Sequence, residues 1–209
     1  MSNFKNKVIY QIYPKSFNDT NHDGIGDING IIEKLDYLKE LGIDMIWMCP
    51  IFASPQRDSG YDIKDYYQID PIFGTMDDLD HLIAEAQKRN ISLMFDMVFN
   101  HTSTEHQWFQ EALKGNGKYK NYYFFKKGKD GQLPTNWDSK FGGKAWKYVP
   151  EFDEYYLHLY DEKQADLNWQ NEEVRNELIK VINFWLQKGI RGFRFDVINN
   201  LSLIHISEP

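Results

Sequence analysis

With a single cysteine, Cys49, in 209 residues, the chain has no material for an intramolecular disulfide framework, which leaves packing and hydrogen bonding to hold it together. Basic charge is also in deficit. Lys and Arg total 24 against 31 Asp and Glu, a net charge of -7, and a nucleic-acid partner would need a basic face that is not evident. No apolar run approaches the roughly 20 residues needed to span a bilayer. Residues 1–7 lack the apolar stretch of a secretory signal. The expectation is a cytoplasmic protein with neither a membrane nor a nucleic-acid partner. What remains is ordinary for a globular chain long enough to bury a core, at 42% hydrophobic and 26% charged residues. Aromatics are the outlier: 13 Tyr, 14 Phe and 6 Trp make up 16% of the chain. Such residues suit a pocket for a flat amphipathic ligand such as a sugar ring, although large cores use them too.

The hydrophobic pattern repeats. Val8 to Tyr13 reads as a strand. After a polar, Gly-rich loop, Ile31, Ile32, Leu35, Leu38 and Leu41 recur at helical spacing up to Gly42. Ile43 to Met48 reads as a second strand, followed by a long loop. Thr75 with Asp78 then forms a capping-box pattern ahead of Leu79, Leu82, Ile83 and Ala86. Ile91 to Val98 is a third strand. Val174, Leu178, Val181, Ile182, Trp185 and Leu186 mark a helix ended by Gly189, and Gly192 to Ile198 a fourth strand. Alternation of this kind predicts an α/β protein with a parallel sheet and helices outside it. Between the third strand and the last helix the pattern breaks. The expected organisation is therefore three βα units over 1–100, an inserted, mostly irregular and β subdomain over 101–170, a helix and fourth strand over 171–199, and an atypical tail over 200–209. Ligands of parallel α/β proteins bind at the carboxyl ends of the strands, where this insert would overhang.

Polar residues gather at those ends. In Gly192-Phe193-Arg194-Phe195-Asp196-Val197 the arginine and the aspartate are two apart, positions that share one face of a strand. Such a pair either ties two elements together or keeps a nucleophilic carboxylate ionised. Asp96, Asn100 and His101 close the third strand, where a doubly buried strand should be apolar, so Asp96 requires a partner or a task. His101 is placed to donate to a substrate hydroxyl. Asp58 and Tyr61 bring a carboxylate and an aromatic face to the loop after the second strand, as a sugar site requires.

A separate signal lies after the first strand. Asp19, Asn21, Asp23, Gly24 and Asp27 occupy positions one, three, five, six and nine of a calcium loop, with the carbonyl of Ile25 at seven. Position twelve is Gly30, where an EF-hand has a bidentate Glu. That pattern points to a structural Ca2+ staple rather than a tuned sensor.

Four ordered motifs carry a family resemblance: Val8-Ile9-Tyr10-Gln11-Ile12-Tyr13-Pro14, the run from Asp96 to His101, Gln164-Ala165-Asp166-Leu167-Asn168, and Gly192 to Asp196. Together they resemble glycoside hydrolase family 13, the α-amylase family, over Asn6 to about Asn199. Within it they are most similar to the branch of oligo-1,6-glucosidases and trehalose-6-phosphate hydrolases. Pro134-Thr135-Asn136-Trp137, Ser139 to Gly143, and Ala165 favour the second of these.

The resemblance implies a retaining α-glucosidase on a (β/α)8 TIM barrel, of which about the first four strands are present, with the insert after strand 3 as its B subdomain. It implies Asp196 as nucleophile, Arg194 as its orienting cation, and Asp58 and Tyr61 on the non-reducing glucose. His101 would contact that sugar's hydroxyls, with Asp96 supporting the site from behind. Phe141, Tyr160 and Gln164 would line the same pocket, and Val197 resembles the residue found after the nucleophile in members acting on α-1,6 and trehalose-phosphate bonds. The partner implied is a small-molecule sugar, a disaccharide or its phosphate, and a monomer is expected. Lys140, Lys144 and Lys147 are the candidates for a phosphate, or simply surface lysines. Family 13 also needs a general acid, at the end of the strand after the fourth, a position this sequence does not contain. Glu105, Glu111 and Glu172 fall in or beside helices, so that role stays empty. The residues after Asn199 depart from the family's continuation, and a truncated, inactive chain, binding at most calcium or sugar, is the expectation for these 209 residues taken alone.

Overall fold

The computed structural model describes residues 4–201. In chain order the elements are β1 (Ile9–Ile12), α1 (Ile28–Glu33), α2 (Leu35–Glu40), β2 (Met45–Met48), β3 (Phe52–Ala53), β4 (Asp65–Ile69), α3 (Met76–Lys88), β5 (Ser92–Met97), β6 (His101–Ser103), α4 (Gln107–Leu113), α5 (Gly117–Lys120), β7 (Phe125–Lys126), β8 (Trp146–Val149), β9 (Glu154–Leu157), β10 (Gln164–Asp166), α6 (Glu172–Lys188) and β11 (Gly192–Phe195). Contacts divide the chain into two compact units. The first takes residues 1–53, 66–97 and 181–195, and the second takes 54–65, 98–180 and 196–209. The segment 101–170 thus falls inside a larger unit that also includes the 54–65 loop.

The first unit is built on a parallel sheet in the order β1-β2-β5-β11. Its strands are short and largely apolar, as expected where helices cover a parallel sheet. Phe52, Phe95 and Trp185 meet edge-on or tilted with ring centroids 5.2–5.8 Å apart. The Trp185 indole N–H donates to the Tyr66 carbonyl at 2.8 Å, so this large ring is buried without an orphaned donor. Thr75 and Asp78 form the reciprocal capping box that their spacing predicts at the start of α3.

Three expectations change. The helix expected from Ile31 to Leu41 is two short helices, broken at Lys34 (φ -98°, ψ 2°), and Leu41 is 51% exposed rather than in the core. Gly42 follows at φ +82°, a left-handed turn that glycine adopts without steric cost. The fourth strand, expected to run to Ile198, ends at Phe195 because Val197 turns left-handed at φ 42°, ψ 38° ahead of a short 3-10 turn. A β-branched residue there carries strain on the order of 1–3 kcal/mol. The insert, expected to be irregular and β, also contains α4 and α5. The tail at 202–209 lies outside the described residues.

The second unit holds an antiparallel three-stranded sheet, β7-β9-β8, and a two-stranded ladder of β10 with β6. Ala145, Trp146, Leu157 and Leu159 form a buried cluster on which Phe124, Leu133, Trp137, Tyr155 and Tyr160 pack. Much of the aromatic surplus is therefore structural.

Candidate active site

In the first unit Arg194 and Asp96 are register partners on adjacent parallel strands. Nη1 of Arg194 donates to Asp96 Oδ1 at 2.9 Å, and the guanidinium lies 5.1 Å from the Trp47 ring centroid. This meets the requirement that a carboxylate on a doubly buried strand have a charge partner, since Asp96 is only 1% exposed. The same-face argument from sequence pairs Arg194 with Asp196, but Asp196 stands one residue past the strand end. The cross-strand partner Asp96 is visible only once register is known.

The calcium-loop residues form a self-tied turn. Asp19 accepts from the backbone N–H groups of His22 and Gly24 at 2.7 and 2.8 Å, which hold its carboxyl below the usual range. Asn21 and Asp23 bond one another, and Asp23 accepts from Ile25 N–H at 2.8 Å. Asp27 is the N-cap of α1, accepting from Gly30 N–H at 2.6 Å and from the Thr20 hydroxyl. These oxygens are in kind what a hard cation takes. Among the described residues, however, no three His, Cys, Asp or Glu side chains gather within reach of one ion. The absent position-twelve Glu has a packing cause. A Cβ on Gly30 would stand 2.0 Å from the Asn18 carbonyl oxygen.

The second unit brings most of the remaining candidates together. The 54–62 loop is organised by Asp62, which is fully buried and accepts from the Ser54 hydroxyl and from the backbone N–H groups of Arg57 and Asp58 at 2.9–3.0 Å. Sequence reasoning passed over Asp62; its signal was a carboxylate four residues after another in a Ser- and Gly-containing loop. The loop presents Asp58, half-buried, whose carboxylate accepts from Gln164 Nε2 at 2.8 Å. Burial raises the Asp58 pKa against that hydrogen bond, and the like charges of Asp62, Asp161 and Asp196 raise it further.

His101 is buried, with Nε2 3.0 Å from the Tyr61 carbonyl oxygen. Burial lowers its pKa to about 4, against the pull of that carbonyl and of Asp196 and Asp62. The ring is therefore neutral at pH 7, with Nε2–H directed at the Tyr61 carbonyl. The Tyr160 ring lies 5.3 Å from His101 and 5.6 Å from Phe141, which is 59% exposed. Ser139, another residue sequence reasoning missed, donates its hydroxyl to the Tyr160 carbonyl at 2.6 Å and accepts from Phe141 N–H, fixing this aromatic pair. Asp196, also half-buried, is close enough to press on both Asp58 and His101, and Val197 follows it in the left-handed turn. Two of the three candidate phosphate cations are committed elsewhere, Lys144 to Asp138 at 2.7 Å and Lys147 to Glu162 at 2.8 Å. Of the glutamates, Glu111 and Glu172 lie within α4 and α6, and Glu105 precedes α4.

A half-buried carboxyl whose pKa is raised, a neutral imidazole and a pair of rings thus stand together in the second unit of an α/β protein whose first unit is built on parallel strands. The chain belongs to the alpha-amylase family: the family described as alpha amylase, catalytic domain, matches residues 11–207. It is 56% identical over 201 residues to the trehalose-6-phosphate hydrolase of Bacillus subtilis (strain 168), and 56% identical over 200 residues to the oligo-1,6-glucosidase of Bacillus cereus. Each match covers 95% of this chain and 36% of the relative, so the chain spans about a third of the length of these curated proteins. Among solved structures, the crystal structure of Bacillus licheniformis trehalose-6-phosphate hydrolase superposes with a TM-score of 0.94 at 57% identity, over 95% of this chain and 36% of that one. No helix among the described residues is long and apolar enough to cross a membrane.

Proposed function

We propose that this chain supplies the sugar-binding rim and the nucleophile of a retaining α-glucosidase, whose parent protein hydrolyses trehalose 6-phosphate to glucose and glucose 6-phosphate. The observation that carries this is the cluster in the second unit, where Asp58 bonded to Gln164 and neutral His101 both sense the charge of Asp196. In this reading Asp196 attacks the anomeric carbon, and Asp58 and His101 bind the hydroxyls of the glucose. Tyr61, Tyr160 and Phe141 pack on its ring. Arg194 and Asp96 form an ion pair within the first unit.

The four parallel strands are, in the same reading, the first half of a (β/α)8 barrel, with the 101–170 segment as its inserted subdomain. Retention requires a second carboxyl about 5 to 5.5 Å from the first to protonate the leaving oxygen. Glu105, Glu111 and Glu172 lie in or just before helices, so in this reading the general acid and turnover are assigned to the parent protein. The first relatives are named for both trehalose 6-phosphate and oligo-1,6-glucoside hydrolysis at equal identity. Oligo-1,6-glucosidase action on isomalto-oligosaccharides is thus the second reading.

Initial rates of the parent protein on trehalose 6-phosphate and on isomaltose separate the two. Higher kcat/KM on trehalose 6-phosphate is expected, with loss of turnover on both in Asp196→Asn. Preference for isomaltose would replace the first reading by the second, and retained activity in Asp196→Asn would remove both. The loop from Asp19 to Asp27 is proposed to take a structural Ca2+ through the side chains of Asp19, Asn21, Asp23 and Asp27 and the carbonyl of Ile25. Bound there, the ion would supply only rigidity.

A further inference from the structure

A buried polar chain runs through the second unit behind the sugar-binding rim. β10 and β6 pair antiparallel with Asp166 opposite His101. Asp166 is 2% exposed, and its Oδ1 accepts from Asn100 Nδ2 at 3.2 Å and from Leu159 N–H at 3.3 Å. Its Oδ2 is buried and has no hydrogen-bond partner among the described residues. Asn100, itself 3% exposed, also sets Nδ2 3.2 Å from His101 Nδ1.

The roles in this chain can be deduced from its end. A carbonyl oxygen only accepts, so His101 must carry its proton on Nε2 to bond Tyr61. Nδ1 is then a lone-pair acceptor, and the amide facing it must present N–H. An Asn side chain has two such hydrogens, and the second points at Asp166. Were the Asn100 amide reversed, its oxygen would face the Asp166 oxygen and the His101 lone pair together, two repulsive contacts in place of two hydrogen bonds. The carboxyl of Asp166 is what selects the bonded orientation. Leaving a buried carboxyl oxygen unpaired is a cost that a purely structural filler would avoid.

We infer that Asp166 is a positioning residue: through Asn100, and together with the Tyr61 carbonyl, it holds His101 as the neutral Nε2–H tautomer and so sets the donor that the sugar site offers. The inference deepens the glucosidase reading and takes its functional meaning from it, but the geometry stands apart from turnover. Burial drives the Asp166 pKa well upward; a proton carried on Oδ2, the oxygen that Asn100 does not use, leaves Oδ1 an acceptor for the Asn100 amide. The titratable groups facing His101 are Asp62 and Asp196, both of which favour its protonation. Burial keeps the ring neutral between two carboxylates, and the Asn100 amide sets a donor, not an acceptor, against Nδ1.

The test reads the imidazole directly, by two-bond 1H–15N correlation of 15N-histidine-labelled protein across pH 5 to 8. In the unaltered protein His101 is expected to show a protonated Nε2 and an unprotonated Nδ1 throughout. A protonated Nδ1 at pH 7 would overturn the inference. Asp166→Ala, which deletes the acceptor, is expected to release the amide and bring His101 to a mixture of tautomers. Asp166→Asn, which keeps an oxygen for Asn100, is expected to restore the single tautomer. A folded Asp166→Ala with the unaltered His101 pattern would also refute it. Should the alanine variant fail to fold, Asn100→Asp decides. A carboxylate against Nδ1 is expected to move the His101 titration midpoint up by about one pH unit or more, and an unmoved midpoint would count against the chain of contacts. No substrate enters these measurements, so failure of the glucosidase reading would leave them interpretable.

Discussion

At the scale of single residues, the chemistry of this chain turns on charges that would be costly if alone. Asp96 has no exposed side-chain surface, and Arg194, about a third exposed, provides its ion pair. Removing one partner of such a pair leaves an uncompensated charge, at about 3–5 kcal/mol when both are buried and toward the lower end here because Arg194 keeps some water. Arg194→Ala is accordingly expected to lower stability by about 2–3 kcal/mol in urea titration, and Asp96→Asn in the same background to recover part of it by removing the stranded charge. A loss below about 0.5 kcal/mol would show that solvent already screens Asp96. Motif spacing put Arg194 and Asp96 at strand ends, and that much was legible. Their pairing was not, because it depends on the register of β5 against β11, and a register is set by contacts between segments about a hundred residues apart. Asp62 and Ser139 escaped for a related reason. Their task is to bond backbone groups of a folded loop, and only the folded loop brings those groups within reach.

Local elements were legible wherever a local rule governs them. The α3 start followed from Thr75 and Asp78 because a capping box is closed within four residues. The α1 to α2 break and the early end of β11 could not be read from periodicity, which registers apolar spacing but not a backbone angle such as φ 42° at Val197. The loop from Asp19 to Asp27 belongs to this scale as well. Its carboxylates are at present satisfied by the loop's own amides, so an ion would add restraint rather than create the turn. By mass action, an ion at 100 times its Kd contributes about 2.7 kcal/mol, which for a chain of this size is a melting shift of about 5–10 °C. Thermal melts in millimolar CaCl2 are expected to exceed those in EGTA by that amount, and MgCl2 to give a smaller shift because Mg2+ dehydrates reluctantly. Coincident melts in CaCl2 and EGTA would mean that the loop is a hydrogen-bonded turn and nothing more.

For the whole molecule the dominant pH effect comes from histidines buried uncharged. Burial holds His101 at about 4 and His106 at about 3, both below the ordinary 6.5. His106 also serves as the N-cap of α4, its Nδ1 accepting from Trp108 N–H at 3.1 Å, a bond that a protonated ring cannot make. A group whose folded pKa is depressed contributes its full stability above the unfolded pKa and loses it as the pH falls toward the folded one. Both histidines thus stabilise fully above about pH 6.5, and below it each withdraws up to about 1.4 kcal/mol per pH unit. Asp166 works in the opposite sense. Its raised pKa, like that of Asp58, contributes stability at acid pH that is lost as the pH rises, which softens the acid side set by His101, His106 and His158, whose pKa burial also lowers. Urea midpoints are therefore expected to be level between pH 7 and 8 and to fall steeply from pH 6 to 5. His106→Asn, which keeps a capping oxygen and cannot be protonated, is expected to make that fall shallower by about a third to a half, His101 and His158 carrying the rest. A midpoint that stays level down to pH 5 in the unaltered protein would show that these two rings are not held neutral, and with them would go the assignment of His101 as an uncharged donor.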